Sequence, residues 1–169
     1  HRLWKSMGLV LLLLGAIEII GAASGADNWA KPLENLRTGA RSGHAEEIVF
    51  QRIKSLGDLE NAVARANQAG KPAMLDFYAD WCVECIRMER NTFGESEIQG
   101  LFGQVQPLQA DVTANDETDQ ALMEKYGIIG PPAILFFDRQ GREMPAYRLV
   151  GYFEPGEFSE HLRKVLEAQ

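Results

Sequence analysis

The chain has 169 residues, 46% hydrophobic and 24% charged, which is enough for one domain with a sizeable core and an appendage. Its formal charge is −7, and no run of Lys or Arg forms a stripe that could track phosphates, so nucleic acid is excluded as a partner. Two cysteines and three histidines (His1, His44, His161) are too few and too scattered for a four-ligand zinc site, so no metal is expected and the cysteines call for an explanation as a pair.

The chain opens on His1 rather than Met and reads as a piece of a longer protein. Residues 7–23, MGLVLLLLGAIEIIGAA, are almost wholly apolar, with Arg2 and Lys5 before them and small residues after them. A membrane-spanning helix within residues 1–25 is the leading expectation. A signal peptide and a buried soluble helix are the alternatives, and Glu18 counts against a helix that faces lipid. Either leading reading carries everything after Gly25 across the membrane. Residues 26–47 mix Gly, Ser, Pro and charge with no apolar period, which predicts a linker, and residues 48–169 are left as the globular domain.

Within that domain the elements alternate. A strand is predicted over 48–53, then a helix over 59–69 with Leu59, Ala62, Val63 and Ala66 on one face, ended by Gly70-Lys71-Pro72. Residues 73–79, AMLDFYA, form a nearly continuous apolar run, as a central strand covered on both faces requires, with Asp76 as its misfit. Helices follow over 83–92 and 96–102, a strand over 105–110, a helix over 117–126, strands over 133–137 and 147–150, and a closing helix over 155–166. This order predicts a three-layer α/β sandwich around a mixed sheet.

The chemistry centres on Trp81-Cys82-Val83-Glu84-Cys85, at the junction of a predicted strand and helix. A sulfur at a helix N-terminus meets unpaired N–H groups and the positive end of the dipole, and both favour thiolate. Thiolate is the attacking species in disulfide exchange, and CxxC motifs so placed have a first pKa of about 3.5 to 7.5. Cys82 is therefore assigned as nucleophile and Cys85, one turn deeper, as the resolving thiol; a structural disulfide and half a metal site are the alternatives. At 100° per residue, Glu89 falls on the helix face of both cysteines. Asp76 lies in a strand too apolar for a casual charge, and burial would raise its pKa. The pair is expected to take the Cys85 proton during resolution. A satisfied core Asp and a surface Glu paired with an Arg are the bland alternatives. Gly130-Pro131-Pro132 precedes an apolar strand, where a proline suits a cis bond. This loop is expected to lie against the dithiol and offer its backbone to a partner by strand addition. Trp81 is read as a partner contact or as plain packing, and His44 and His161 are expected to play no part.

The stretches LDFYADWCVEC (75–85), ADVTAND (110–116), ILFFDRQG (134–141) and GYFEPGEFSEHL (151–162) together resemble the C-terminal periplasmic domain of the DsbD family, transmembrane thiol:disulfide interchange proteins of Gram-negative bacteria. The resemblance covers about residues 48–166 and implies a thioredoxin-like fold preceded by the last transmembrane helix of a membrane domain. It implies an inner-membrane protein whose dithiol domain lies in the periplasm and needs no cofactor beyond a redox-active Cys82–Cys85 disulfide. That domain would accept electrons from the membrane domain. It would pass them to the protein's own N-terminal periplasmic domain, and so to disulfide isomerases and cytochrome c maturation proteins. Cys82 and Cys85 match the family's redox pair, Asp76 and Glu89 its acidic pair, and Pro132 its cis-proline. Partner contacts are expected at Trp81, Val83, Glu84, Gly130, Pro131 and Pro132, where Glu84 sets a charge between the cysteines and Pro131 makes the loop a Pro-Pro pair. The rival readings are a stand-alone membrane-tethered reductase, an oxidant of opposite direction, and a chaperone-like module with an inert disulfide.

Overall fold

A computed structural model describes residues 48–169. The membrane segment and linker expected before residue 48 lie outside the described residues, among which no helix is long and apolar enough to cross a membrane. The first strand, β1, spans Gln51–Ile53, shorter than the 48–53 expected. Helix α1, Leu56–Gln68, starts a turn earlier than its apolar period indicates. Ser55 accepts from the Asp58 N–H while the Asp58 carboxylate accepts from the Ser55 N–H, a capping box that satisfies two otherwise orphaned donors.

Strand β2, Ala73–Tyr78, occupies the centre, followed by helix α2, Val83–Arg87, which continues in π geometry from Met88 to Phe93. The plain α-helix expected to residue 92 thus holds only as far as Arg87. Helix α3 spans Ser96–Phe102, β3 Gln106–Asp111, α4 Glu117–Tyr126 and β4 Ala133–Phe137. The strand expected over 147–150 is reduced to β5, Leu149–Val150, because Pro145 opens a 3-10 turn that takes up Tyr147. Helix α5, Pro155–Glu167, closes the chain.

The five strands run in the order β1-β3-β2-β4-β5, with β2 parallel to β3 and antiparallel to β4. Alternation along β2 sends Leu75 and Phe77 to one face, where they pack with Leu59, Val63 and Leu122 from α1 and α4. Met74 goes to the other face, among Met88, Phe93, Ile98, Phe158 and Leu162 from the π segment, α3 and α5. Both faces are covered, so the central strand is apolar nearly throughout, and the three expected layers are present. Asp76 has the parity of Met74 and therefore points towards the layer that holds the π segment.

Helix α4 stops at Gly127, whose φ of 63° lies in the left-handed region and turns the chain into the loop ahead of β4. A Cβ here would meet no neighbouring atom, so Gly127→Ala is expected to cost only the backbone strain, about 1 kcal/mol. Urea denaturation of the oxidised domain checks this; a loss above about 3 kcal/mol would mean that the loop itself had been displaced.

Candidate active site

Cys82 and Cys85 form a disulfide, S–S 2.04 Å, at the start of α2. Cys82 is the N-cap residue with extended backbone, and its sulfur accepts from the Cys85 N–H at 3.1 Å. The first sulfur thus occupies the position where a capping side chain normally satisfies an orphaned donor, which is a stabilising environment for a thiolate. Cys85 is buried deeper, 3% exposed, with its sulfur 3.9 Å from the Phe77 carbonyl oxygen of β2.

That contact ties the site to the proline loop. Phe77 pairs across the sheet with Ala133, the first residue of β4, which directly follows Pro132. The Pro131–Pro132 bond is cis, and the Pro132 carbonyl accepts from the Gly151 N–H at 3.1 Å. Gly130, Pro131 and Pro132 are half-buried beside fully exposed Ile129. Val150, paired with Ala133 beside that loop, is 72% exposed, and Trp81 and Val83, which flank Cys82 in the chain, are 59% and 68% exposed. Four of the five large exposed hydrophobics among the described residues therefore belong to the segments that frame the disulfide. Such clustering differs from the singly scattered apolar exposure that is ordinary on protein surfaces. Ile129 and Val150 escape a sequence reading because each follows another apolar residue, Ile128 and Leu149, and only the fold shows which of the two is exposed.

The turn into Cys82 is suspended from the loop after β3. The Asp80 N–H donates to the Thr113 hydroxyl at 2.9 Å, and the Trp81 indole N–H donates to the Thr113 carbonyl at 3.2 Å. Asp111 fixes Thr113 in turn by accepting from both its N–H and its hydroxyl, while Asp116 caps α4. The ADVTAND stretch thereby acquires a physical role that its composition alone does not reveal. Glu84, between the cysteines, is paired with Arg87 at 2.8 Å, and the Arg87 guanidinium lies 4.0 Å over the Tyr152 ring. The charge between the cysteines is thus countered on its own helix.

The acidic pair meets through a third residue. Gln109 on β3 stands opposite Asp76 in the sheet register, and its side-chain nitrogen donates to Asp76 at 2.9 Å and to Glu89 at 3.1 Å. Glu89 lies in the π segment, where counting 100° per residue no longer holds, and it reaches Asp76 by way of this amide. Asp76 is 4% exposed, and burial pushes its carboxyl up to about 7, helped by the Glu89 charge and opposed by the Gln109 bond and the charge of Arg52. A group of that pKa both accepts and releases protons near neutrality. Gln109 is the site residue that sequence reasoning misses; the signal is a polar residue in one strand opposite the acidic misfit Asp76 in its apolar neighbour, readable only with the register. His161, half-buried on α5, bonds to the Tyr147 carbonyl and lies tilted against Phe136.

A family model described as a thioredoxin-like domain matches residues 59–166. Among solved structures, the C-terminal domain of DsbD from Neisseria meningitidis in the reduced form is 30% identical, with a TM-score of 0.58 over 66% of this chain and 96% of that one. The chain belongs to the thioredoxin-like family, in its DsbD C-terminal branch. The oxidised form of the same Neisseria domain is 28% identical, with a TM-score of 0.60 over 69% of this chain and 98% of that one. The thiol:disulfide interchange protein DsbD of Ralstonia nicotianae is 42% identical over 98% of this chain, and that of Salmonella typhi 38% over 96%. The chain spans about a quarter (27%) of the length of each of these two relatives. A DsbD-type domain with a CxxC disulfide at a helix start is a protein-disulfide oxidoreductase by family, and its fold is the mixed five-stranded thioredoxin-like sheet expected.

Proposed function

We propose that the chain is the electron-passing periplasmic domain of a DsbD-type protein, joined through residues 26–47 to a membrane helix within residues 1–25. It receives an electron pair from a membrane domain, holds it as the Cys82/Cys85 dithiol, and passes it to an N-terminal domain and to downstream periplasmic disulfide proteins. The observation that carries this reading is the Cys82 sulfur in the capping position of α2 with Cys85 buried behind it. Cys82 attacks, Cys85 resolves, and Asp76 takes the resolving proton with Glu89 at its side. Trp81, Val83, Glu84, Gly130, Pro131 and Pro132, joined by Ile129 and Val150, form the docking face. The test is a single turnover of the reduced protein with a protein disulfide: a quantitative yield of reduced partner and of the Cys82–Cys85 disulfide supports the reading, and an unreactive dithiol leaves only the inert-module alternative.

Pro131 tunes that face. A strand pairing at this edge would use both the N–H and the C=O of the residue before Pro132, and proline has no N–H to give. One missing hydrogen bond is worth about 0.5–1.5 kcal/mol, so Pro131→Thr is expected to tighten partner binding several-fold and slow release. Calorimetric titration of a Cys-to-Ser pair reads the affinity, and an equal or weaker constant for the variant removes Pro131 from that role.

A further inference from the structure

Exchange at a covered dithiol leaves a proton with no obvious exit. During resolution the Cys85 sulfur supplies the electron pair of the new Cys82–Cys85 bond, and the bond between Cys82 and the partner's sulfur breaks with that sulfur leaving as thiolate. The dithiol loses two electrons, the partner disulfide gains two, and the Cys85 proton passes to Asp76. Cys85 and Asp76 are 3% and 4% exposed, so neither reaches water on its own account. A partner seated on Trp81, Val83, Ile129 and Val150 closes the dithiol face as well.

A second opening exists. A cleft of about 340 Å³ is lined by Arg52, Glu89, Gln99 and Gln109 together with Phe50 and Phe93, and it shares no lining residue with the docking face. Its volume is many times the roughly 30 Å³ that one water occupies in the liquid. Glu89, half-buried, lines this cleft and is held by the same amide nitrogen as Asp76. We propose that the cleft is the proton outlet of the resolution step, with Glu89 carrying the proton between Asp76 and cleft water while a partner covers the dithiol. This inference rests on the exchange function proposed above.

The groups around Asp76 agree with that direction. From the π segment Glu89 raises its proton affinity, from β1 the exposed Arg52 lowers it, and from β3 Gln109 bonds it. Its β4 neighbour in the sheet, Ile134, is apolar, and the Cys85 thiol of α2 is the proton donor in the proposed reaction. The proton-accepting partner on the solvent side is therefore Glu89. The sheet row Arg52–Gln109–Asp76 runs from the exposed cleft wall to the buried acid, so the way inward is polar.

The experiment uses stopped-flow single turnovers of the reduced full chain with a protein disulfide, following release of reduced partner. Glu89→Ala is expected to slow resolution about tenfold, a modest share of what positioned acid-base groups contribute. Added formate, a small carboxylate able to enter the cleft, should restore most of that rate, which loss of a merely structural side chain would not allow. In Glu89→Ala/Gln99→Phe, where the ring fills the cleft, formate should restore nothing; in Glu89→Ala/Gln99→Ala it should act as in the single variant. Formate that rescues the filled variant equally, or fails in Glu89→Ala, overturns the outlet, as does an unslowed Glu89→Ala. A wild-type chain that reduces no protein disulfide overturns the exchange reading itself, and that outcome is distinct because it precedes any variant.

Discussion

Cys82→Ser is expected to abolish exchange, whereas Cys85→Ser is expected to attack normally and then accumulate as a mixed disulfide with its partner. The asymmetry follows from the start of α2. The Cys82 sulfur already accepts from the Cys85 N–H at 3.1 Å, and that bond, together with the first-turn dipole, favours the thiolate once the disulfide opens. A serine hydroxyl there keeps the cap but has no accessible anion, so a fall of about a thousandfold or more is expected, as for other essential nucleophiles. Cys85 faces the Phe77 carbonyl within the sheet layer, out of reach of an external disulfide but positioned to attack one formed at Cys82. Non-reducing electrophoresis with a disulfide partner separates the cases. Adducts on Cys82→Ser, with none on Cys85→Ser, would reverse the two roles.

Asp76→Asn is expected to flatten the pH dependence of stability. Burial holds the Asp76 carboxyl at about 7 in the folded chain against 3.8 in the ordinary state. Between those values the folded protein keeps a proton that the unfolded chain releases. Stability from this group is therefore full below about pH 4 and lost progressively as pH rises to about 7. A shift of about three units corresponds to roughly 4 kcal/mol. Asn stays neutral throughout and still offers Gln109 an acceptor oxygen, so at pH 8 the variant should be the more stable by up to about 4 kcal/mol, with the gap closing towards pH 4. Urea denaturation of the oxidised protein at pH 4, 6 and 8 measures it, and parallel curves would mean that Asp76 ionises in the fold without cost. Resolution should slow in the same variant, so the acid is kept at the expense of stability, which is the signature of a functional group.

How far the sequence carries depends on which forces act locally. The central strand, both flanking helices and the nucleophile turn follow from short-range pattern: apolar runs, a 3.6-residue period, and CxxC where strand meets helix. Asp76 stands out because its own strand is apolar. Gln109 does not, since Gln106, Gln109 and Asp111 make β3 look like a polar edge, and only the pairing Asp76↔Gln109 turns one of them into a buried bridge. The π geometry after Arg87 is likewise set by tertiary packing, as Met88 and Phe93 fit into the aromatic layer with Phe102 and Phe158. The strand expected over 147–150 is longer than β5 because Leu149 and Val150 have the right composition while Pro145 commits the preceding residues to a turn.

The suspension of the reactive turn from Thr113 bears on what happens when the sulfurs part. Asp80 and Trp81 are held by bonds to a loop that neither gains nor loses electrons, so the contour around Cys82 does not depend on the S–S link for its shape. Reduction is then expected to alter mainly the torsions of the four-residue ring, so that little reorganisation accompanies each transfer. A carrier that must greet one partner empty and the next one loaded, as the proposed relay requires, presents both with the same outline and leaves the sulfur chemistry to tell them apart.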